Sequence, residues 1–119
     1  VVLRGALRTT LSARQEMVAY RTVQEALTNV LKHAQARRVL IDVSDLEGHL
    51  TIEIADDGRG ASAPELTKER SFGLLGLRER AQSVGGWLDV VTAPGQGMTL
   101  ILSVPLDGAV STKQEEDDA

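Results

Sequence analysis

The chain has no cysteine and very few aromatic residues. The absence of cysteine from 119 residues excludes disulfides, thiolate metal ligands and a cysteine nucleophile. Aromatic residues make up 3% of the chain, which leaves no platform on which nucleic-acid bases could stack. No apolar run approaches the ~18 residues of a membrane span. The composition, 42% hydrophobic and 25% charged, is that of one ordinary globular domain.

The net charge of -4 comes from the C-terminal tail. Residues 115–118 supply four of the 17 acids, which leaves 13 basic and 13 acidic residues in residues 1–114. A balanced body lacks the basic footprint of a nucleic-acid-binding protein, so we expect no nucleic-acid partner. We therefore expect one domain over residues 1–106 and an acidic, disordered tail over residues 107–119.

A helix with two distinct faces is predicted over residues 13–34, and Ser12 is suited to cap its N-terminus. Apolar residues at i, i+4, i+7, i+8 and i+11 predict one buried stripe, made of Val23, Leu27, Val30, Leu31 and Ala34. The opposite side carries Glu25, Asn29 and Lys32, with His33 at its flank. For this helix alone, a solvated polar face is the simpler interpretation.

The remaining chain alternates between strand and helix signals. Five segments have the composition of β-strands: the start of residues 1–11, then residues 39–43, 50–54, 87–91 and 99–104. Glu47-Gly48 suits a hairpin turn between the second and third segments. Trp87 begins a strand and is expected in the core. Residues 74–84 have helical spacing, and Gly85-Gly86 ends that helix.

Two glycine-rich segments change the interpretation of the polar helix face. The first, residues 56–60, places Asp56 at a strand end, where its carboxylate can accept a hydrogen bond from an amine such as that of adenine. The second, residues 71–77, leads into a helix, whose N-terminal N–H groups favour phosphate. Alone, the first is more often a plain turn, and the second lacks the end of a Walker P-loop. The two histidines, His33 and His49, do not have the spacing of a zinc site.

The order of these segments is what carries information. A Glu-x-x-x-Asn helix, Asp-x-Gly-x-Gly after a strand, Phe-Gly-Leu-Leu-Gly-Leu before a helix and Pro-Gly-x-Gly before the last strand follow one another. This order resembles the ATP-binding domain shared by sensor histidine kinases, DNA gyrase, the Hsp90 chaperone and MutL, over residues 20–105. Residues 20–34 and 76–81 are similar to the kinases that phosphorylate LuxR/NarL-type response regulators. The resemblance implies a two-layer α/β sandwich of the Bergerat type, with a mixed sheet of about five strands and helices on one face.

The resemblance also implies a role for each matching residue. Asn29 would coordinate Mg²⁺, and Lys32 would contact phosphate. Glu25 would be the catalytic residue, at the position of the carboxylate that polarises water in the related ATPases. His33 would take the place of an aromatic residue beside the nucleotide. Asp56 would bind the adenine amino group. Gly58 and Gly60 would shape the wall of the adenine site. The second glycine box would be formed by Gly73, Leu74, Gly76 and Leu77.

Two residues depart from the family pattern. Ser71 stands where the family often has the first glycine of the second box. Met98 stands where Gly-Thr is usual, with Thr99 following, and that Thr helps hold the water network between the Asp and adenine. Residues 61–72, with low apolar content and Pro64, are expected to form a lid that nucleotide orders.

The function implied is that of the ATP-binding catalytic domain of a sensor histidine kinase. We expect this domain in the cytoplasm, whether the full-length kinase is anchored in a membrane or soluble. It would donate the γ-phosphoryl group of Mg-ATP to a His on a separate phosphoacceptor and dimerisation domain, which is absent from this chain. We expect a monomeric fragment that does not span a membrane and whose full-length form pairs with a LuxR/NarL-type regulator. Alternatives are an anti-sigma-factor serine kinase, an ATPase of the same superfamily, or an interaction module that has lost nucleotide binding.

Overall fold

The computed structural model describes residues 2–5, 10–62, 64 and 73–106. The predicted acidic tail, Ser71, Phe72 and most of the predicted lid lie outside the described residues. In chain order, the described elements are β1 (Val2–Gly5), α1 (Ala13–Asn29), a π-helical turn (Val30–Ala34), β2 (Val39–Leu46), β3 (His49–Asp56), α2 (Leu74–Ser83), β4 (Trp87–Thr92) and β5 (Met98–Pro105).

The strands form a single mixed sheet in the order β1-β2-β3-β5-β4. β1 pairs with β2 in parallel, and the other three pairings are antiparallel. The predicted hairpin between β2 and β3 is confirmed: Glu47 and Gly48 have φ of 55° and 80°. Positive φ at both turn residues matches the right-handed twist of the flanking strands.

One face of the sheet is covered by helices, which confirms the predicted two-layer sandwich. Alternate residues of β3 and β5 are buried on that face: Leu50, Ile52, Ile54, Leu100, Leu102 and Val104. The helices contribute Val18 and Ala26 from α1, with Leu77 and Ala81 from α2. Within the described part of the chain, no helix is long and apolar enough to cross a membrane.

The N-terminus of α1 is fixed by a capping box and by a bond to the sheet. The Ser12 hydroxyl accepts from the Gln15 N–H at 3.1 Å, and the Gln15 side chain accepts from the Ser12 N–H at 2.9 Å. The Gln15 Nε2 also donates to the Pro105 carbonyl at 2.9 Å. The predicted cap at Ser12 is therefore confirmed, and it holds the start of α1 against the end of β5.

The predicted apolar stripe of α1 was partly wrong. Leu31 is 87% exposed, because the chain enters a π-helical turn at Val30 and the α-helical spacing no longer applies. The buried line instead runs through Val18, Thr22, Ala26 and Asn29. Thr22 can lie in the core because its hydroxyl donates to the Val18 carbonyl at 2.8 Å. Asn29 therefore does not lie opposite the packed face, as the sequence suggested, but on it.

The prediction that Trp87 belongs to the core was also wrong, since its side chain is 47% exposed. The register pairs Leu88 with Leu102, and both are buried on the helix side. Because successive side chains of a strand alternate between faces, Trp87 points to the other face of the sheet. There its ring lies 5.7 Å from the His49 ring, centroid to centroid.

Candidate functional site

The C-terminal end of α1 lies toward the edge of the sheet where β3 finishes. Gln15, near the start of α1, bonds to Pro105, and Pro105 pairs with His49 at the start of β3. The 22 residues of α1 and its π-helical turn extend over about 33 Å, at ~1.5 Å per residue. The eight residues of β3 extend over about 27 Å, at ~3.4 Å per residue. A helix that starts at one end of β3 and packs across the sheet therefore finishes near Asp56.

The N-terminus of α2 lies at the same end, because α2 runs antiparallel to α1. A Cβ placed on Gly73 would come 2.8 Å from the Glu25 carboxylate, so this glycine lies directly against Glu25. At the other end of the pair, the Arg14 guanidinium donates to the Ser83 carbonyl at 3.2 Å. Gly73 has φ of 63° and is the N-terminal cap of α2. The first N–H groups of α2 therefore lie close to the last turn of α1.

The connection after α1 is bonded directly to the residue that follows Asp56. The backbone N–H groups of Arg37 and Arg38 both donate to Asp57 Oδ1 at 2.9 Å. The Asp57 N–H returns a bond to the Arg38 carbonyl at 3.3 Å. The hydrogen bonds from the Arg38 and Arg37 backbone hold the pKa of Asp57 below its ordinary value, because they stabilise the ionised carboxylate. Asp57 thereby joins the end of α1 to the end of β3.

The loop after β3 is packed backbone to backbone on the turn between β4 and β5. Asp56 Oδ1 accepts from the Gly58 N–H at 2.8 Å, and its second carboxylate oxygen accepts from no other described residue. A Cβ on Gly60 would overlap the Ala93 carbonyl, and a Cβ on Gly97 would overlap the Asp56 carbonyl. Glycine is therefore required at both positions, and the loop that carries Asp56 is held in one shape.

Thr92 is a residue of this loop region that no sequence pattern indicated. Its hydroxyl donates to the Gly97 carbonyl at 2.6 Å and accepts from the Ala61 N–H at 3.0 Å. One side chain thus connects the β4–β5 turn with the segment that follows Gly60. The available signal was a hydroxyl residue at the end of a strand, just before the Ala93-Pro94 turn, and it belongs to no motif.

The end of α1 supplies the predicted phosphate-side residues. Asn29, the last residue of α1, is 7% exposed and buried beneath the surface. Glu25, one turn earlier, is half-buried. Lys32 and His33 lie in the π-helical turn, where Lys32 is exposed. A π-helical turn at the end of an α-helix redirects the side chains that follow it, and such turns are frequent at functional sites.

The second glycine segment divides between the site and the core. Gly73 faces Glu25. Gly76 is half-buried, and a Cβ added to it would lie 3.3 Å from the Arg80 guanidinium. Leu74 and Leu77 are 4% and 1% exposed and pack in the hydrophobic core. These leucines therefore seat α2 on the sheet, which fixes where its N-terminus points.

The structure does not bring Thr99 to this site. Thr99 pairs with Ala55, whereas Met98 pairs with Asp56. Because paired residues share one face and neighbours alternate, Thr99 points to the face of the sheet opposite Asp56. The side chain beside Asp56 is the buried Met98, whose thioether cannot hold a water network as a hydroxyl can.

The arrangement has the chemistry of a nucleotide site. The partial positive charge at the N-terminus of the ten-residue helix α2 and the ammonium of Lys32 both favour phosphate. Asp56 offers a carboxylate oxygen to an amine. Asn29 and Glu25 offer oxygen donors, which suit a hard cation such as Mg²⁺. No group of three or more His, Cys, Asp or Glu is found among the described residues, and Mg²⁺ bound through phosphates and water does not need one.

Comparison with known proteins gives one consistent family. Residues 15–108 match the model of the histidine kinase-, DNA gyrase B- and HSP90-like ATPases. The chain is 41% identical over 91 residues to the signal transduction histidine-protein kinase/phosphatase DegS of Brevibacillus brevis, covering 76% of this chain and 23% of DegS. It is 38% identical over 99 residues to the sensor histidine kinase YxjM of Bacillus subtilis, covering 83% of this chain and 23% of YxjM. The chain thus spans about a quarter of the length of these relatives.

Solved structures agree with this match. The ATP-binding domain of PrrB from Mycobacterium tuberculosis has a TM-score of 0.68 at 26% identity, over 87% of this chain and 77% of that one. The histidine kinase domain of a blue-light activated kinase from Erythrobacter litoralis has a TM-score of 0.73 at 24% identity, over 92% of this chain and 55% of that one, and shows the shared fold. By fold, by motif order and by sequence, the chain belongs to the histidine kinase-, DNA gyrase B- and HSP90-like ATPase family.

Proposed function

We propose that this domain binds Mg-ATP and acts as the catalytic domain of a sensor histidine kinase. In this proposal it donates the γ-phosphoryl group to a His on a separate phosphoacceptor and dimerisation domain. The observation that carries it is the convergence of three element ends: the last turn of α1 with Asn29, the N-terminus of α2 at Gly73, and the end of β3 at Asp56. Among the relatives, DegS and YxjM are both named histidine kinases, which supports the choice of reaction.

Each element end has one task in the proposal. Asp56 selects the base, because its second carboxylate oxygen would accept a hydrogen bond from the adenine amino group. Lys32 and the N-terminal N–H groups of α2 hold the phosphates by charge and hydrogen bonding. The amide oxygen of Asn29 would hold Mg²⁺, which would neutralise phosphate charge. Glu25, one turn before it, is the catalytic carboxylate. Phosphoryl transfer depends mainly on position and charge, so these residues need no nucleophile of their own.

The partner regulator follows from the same sequence blocks. Residues 20–34 and 76–81 resemble the kinases that pair with LuxR/NarL-type response regulators. We therefore propose a regulator of that type as the final phosphoryl acceptor.

An interaction module without nucleotide is the second candidate, and Met98 is the observation that favours it. This buried thioether stands beside Asp56, where a hydroxyl would support bound water. Loss of that water would weaken adenine binding. It would not remove the phosphate side of the site, which lies on α1 and α2.

The two candidates are separated by calorimetric titration with a non-hydrolysable ATP analogue, with and without Mg²⁺. The proposal expects saturable one-to-one binding that Mg²⁺ strengthens. The interaction module expects no heat in either buffer. Incubation of the domain with labelled Mg-ATP and the phosphoacceptor domain of a histidine kinase then tests the transfer step. If the domain binds ATP but transfers no label to the phosphoacceptor domain, the kinase reaction is rejected. The proposed ATP-binding site would still stand.

A further inference from the structure

The face of the sheet that carries no helix has a groove at the end remote from Asp56. The groove has a volume of about 460 Å³ and is lined by Ser44, Glu47, His49, Thr51, Trp87 and Ser103. His49 begins β3 and Asp56 ends it, which separates the groove from the candidate nucleotide site by about 24 Å, at ~3.4 Å per residue. No described element covers this face. The groove is therefore a separate feature that the proposed function does not use.

Trp87 forms one wall of the groove and presents its ring to solvent. The side chain is 47% exposed, and the His49 ring is tilted by 59° against it. An exposed indole face with carboxylate and hydroxyl groups around it attracts a cation, because the ring face carries negative electrostatic potential. Glu47, at the hairpin turn beside His49, adds a carboxylate to the rim.

A row of acids lies next to the groove on the same face. The register places Arg4, Asp42, Glu53, Ile101 and Asp89 side by side across the sheet. Arg4 forms an ion pair with Asp42 at 3.4 Å. Glu53 and Asp89 are exposed and form no ion pair with another described residue. Like charges on one face repel each other, and a basic partner would relieve that repulsion.

The spacing of these features selects the partner. Trp87 and Asp89 are two residues apart on β4, so their side chains leave the same face about 7 Å apart. Two arginines in an Arg-x-Arg sequence have the same separation in an extended peptide. One guanidinium can then stack on Trp87 while the other reaches Asp89. Glu53, two strands away on the same face, adds negative charge beside it. The C-terminal acids of this chain have the same sign as the face, so they do not complement it.

We propose that this groove and acid row bind an extended Arg-x-Arg segment of a partner protein. We define the Trp87 face as Trp87, His49, Glu47, Glu53 and Asp89. Arginine suits it better than lysine, because the planar guanidinium both stacks on an aromatic ring and forms paired hydrogen bonds to a carboxylate. Docking of such a segment does not depend on nucleotide binding.

The test uses a fluorescein-labelled peptide, Gly-Arg-Gly-Arg-Gly with blocked ends, titrated with the protein and followed by anisotropy. The matched peptide carries citrulline in place of both arginines, which keeps the shape and removes the charge. Trp87 is the only tryptophan of the chain, so unlabelled peptide should also change the protein's own emission. We expect saturable binding of the arginine peptide and at least tenfold weaker binding of the citrulline peptide.

Two double variants separate this face from general attraction to acids. E53Q/D89N removes two charges from the Trp87 face and is expected to weaken binding at least fivefold. E16Q/E79Q removes two charges from exposed positions on the helices and should change binding less than twofold. W87L should weaken binding about threefold, with W87F between W87L and the wild type, because tryptophan is the strongest aromatic partner for a cation.

Equal binding of both peptides, or an equal loss in both double variants, would overturn the proposal. If W87L binds the arginine peptide with the affinity of the wild type, the groove does not take part in peptide binding. Self-association of the protein that W87L abolishes, without peptide binding, would assign the face to a second copy of this chain instead. Each variant is first checked for a native thermal midpoint, so that a loss of binding is not a loss of fold.

Discussion

Asn29, the last residue of α1, has a buried polar side chain. Its side chain is 7% exposed and lies in line with Val18, Thr22 and Ala26, which pack on the sheet. A buried amide at the last residue of a helix is costly unless its hydrogen-bonding groups are used. We propose that this burial restricts the Asn29 side chain, so that its amide oxygen would meet a bound cation in one position.

Replacing Asn29 with Ala is expected to abolish the Mg²⁺-dependent part of ATP binding. Because Asn29 is buried, the change should also cost about 1–3 kcal/mol of unfolding free energy. Thr28→Ala is the control, since the Thr28 hydroxyl donates to the Gln24 carbonyl of its own helix, at 2.9 Å. Calorimetric titration and thermal denaturation give both quantities. Mg²⁺-dependent affinity in the Asn29 variant equal to that of Thr28→Ala would contradict the metal role.

Asp56 is expected to make the domain prefer ATP over GTP by roughly tenfold. Guanine presents a carbonyl oxygen where adenine has its amino group, and two facing acceptors cost about 1–3 kcal/mol. Asp56→Asn should lose much of that preference, because an amide can donate as well as accept, while its oxygen can still accept from the Gly58 N–H. Competition against a fluorescent nucleotide measures the ratio.

Thr99→Val is the matched control for this preference. Thr99 lies on the other face of the sheet, so its substitution should leave the ATP-to-GTP ratio within twofold of the wild type. Loss of the preference in Thr99→Val, with Asp56→Asn unaffected, would reverse our assignment of the two residues.

Thr92→Val is expected to loosen the loop that carries Asp56. The variant keeps the shape of the side chain and removes its bonds to the Gly97 carbonyl and the Ala61 N–H. We expect a loss of about 1–3 kcal/mol of stability and a lower ATP affinity with the Mg²⁺ dependence retained. Thr99→Val again serves as control. Chemical denaturation measures the first effect, and a Thr92 variant as stable as Thr99→Val would show that these bonds contribute nothing.

At the scale of elements, the connection between α1 and β2 depends on one carboxylate. Asp57 accepts from two consecutive backbone N–H groups, which fixes where the π-helical turn ends relative to β3. These bonds lower the pKa of Asp57 in the folded state. A lowered folded pKa means that the stabilisation is complete above the unfolded value of ~3.9 and is lost as the pH falls through the folded value.

Asp57→Asn should therefore remove a pH-dependent contribution to stability. We expect the thermal midpoint of the wild type to exceed that of the variant above pH ~5, and the difference to shrink as the pH falls below ~4. Midpoints measured from pH 7 to pH 3 test this. A difference that stays constant over the range would mean that the charge of Asp57 does not contribute.

The sequence predicted the elements better than their orientation. Strand alternation, the Glu47-Gly48 turn and the Ser12 cap are local patterns, and the structure has all of them. The exposed Trp87 was not predictable, because its face depends on the register of β4 against β5. The predicted burial of Leu31 was wrong for a different reason, since no neighbouring residue indicates a π-helical turn.

The candidate site could be predicted as a set of residues and not as a geometry. The glycine motifs indicate Asp56, Gly58, Gly60 and Gly73, and the structure shows why glycine is required at Gly60. The register of β3 against β5 decides whether Met98 or Thr99 lies beside Asp56. A shift of the register by one residue would exchange the two side chains. Thr92 acts through bonds to distant backbone, which no sequence pattern records.

At the scale of the whole molecule, the two sides of the sheet carry different chemistry. The helix side ends in the proposed nucleotide site, and the open side carries the Trp87 face about 24 Å away along β3. A ligand of one side should therefore leave the other undisturbed. This separation allows both proposals to be examined in one sample.

The most direct measurement is a titration of ¹⁵N-labelled protein with a non-hydrolysable ATP analogue and Mg²⁺, followed by the backbone amide resonances. Our account predicts that the largest shifts fall at the end of α1 and its π-helical turn, at residues 56–61, and at the start of α2 from Gly73. The amides of His49, Thr51 and Trp87 should not move. Absence of shifts at saturating nucleotide, or shifts centred on the Trp87 face, would contradict the account.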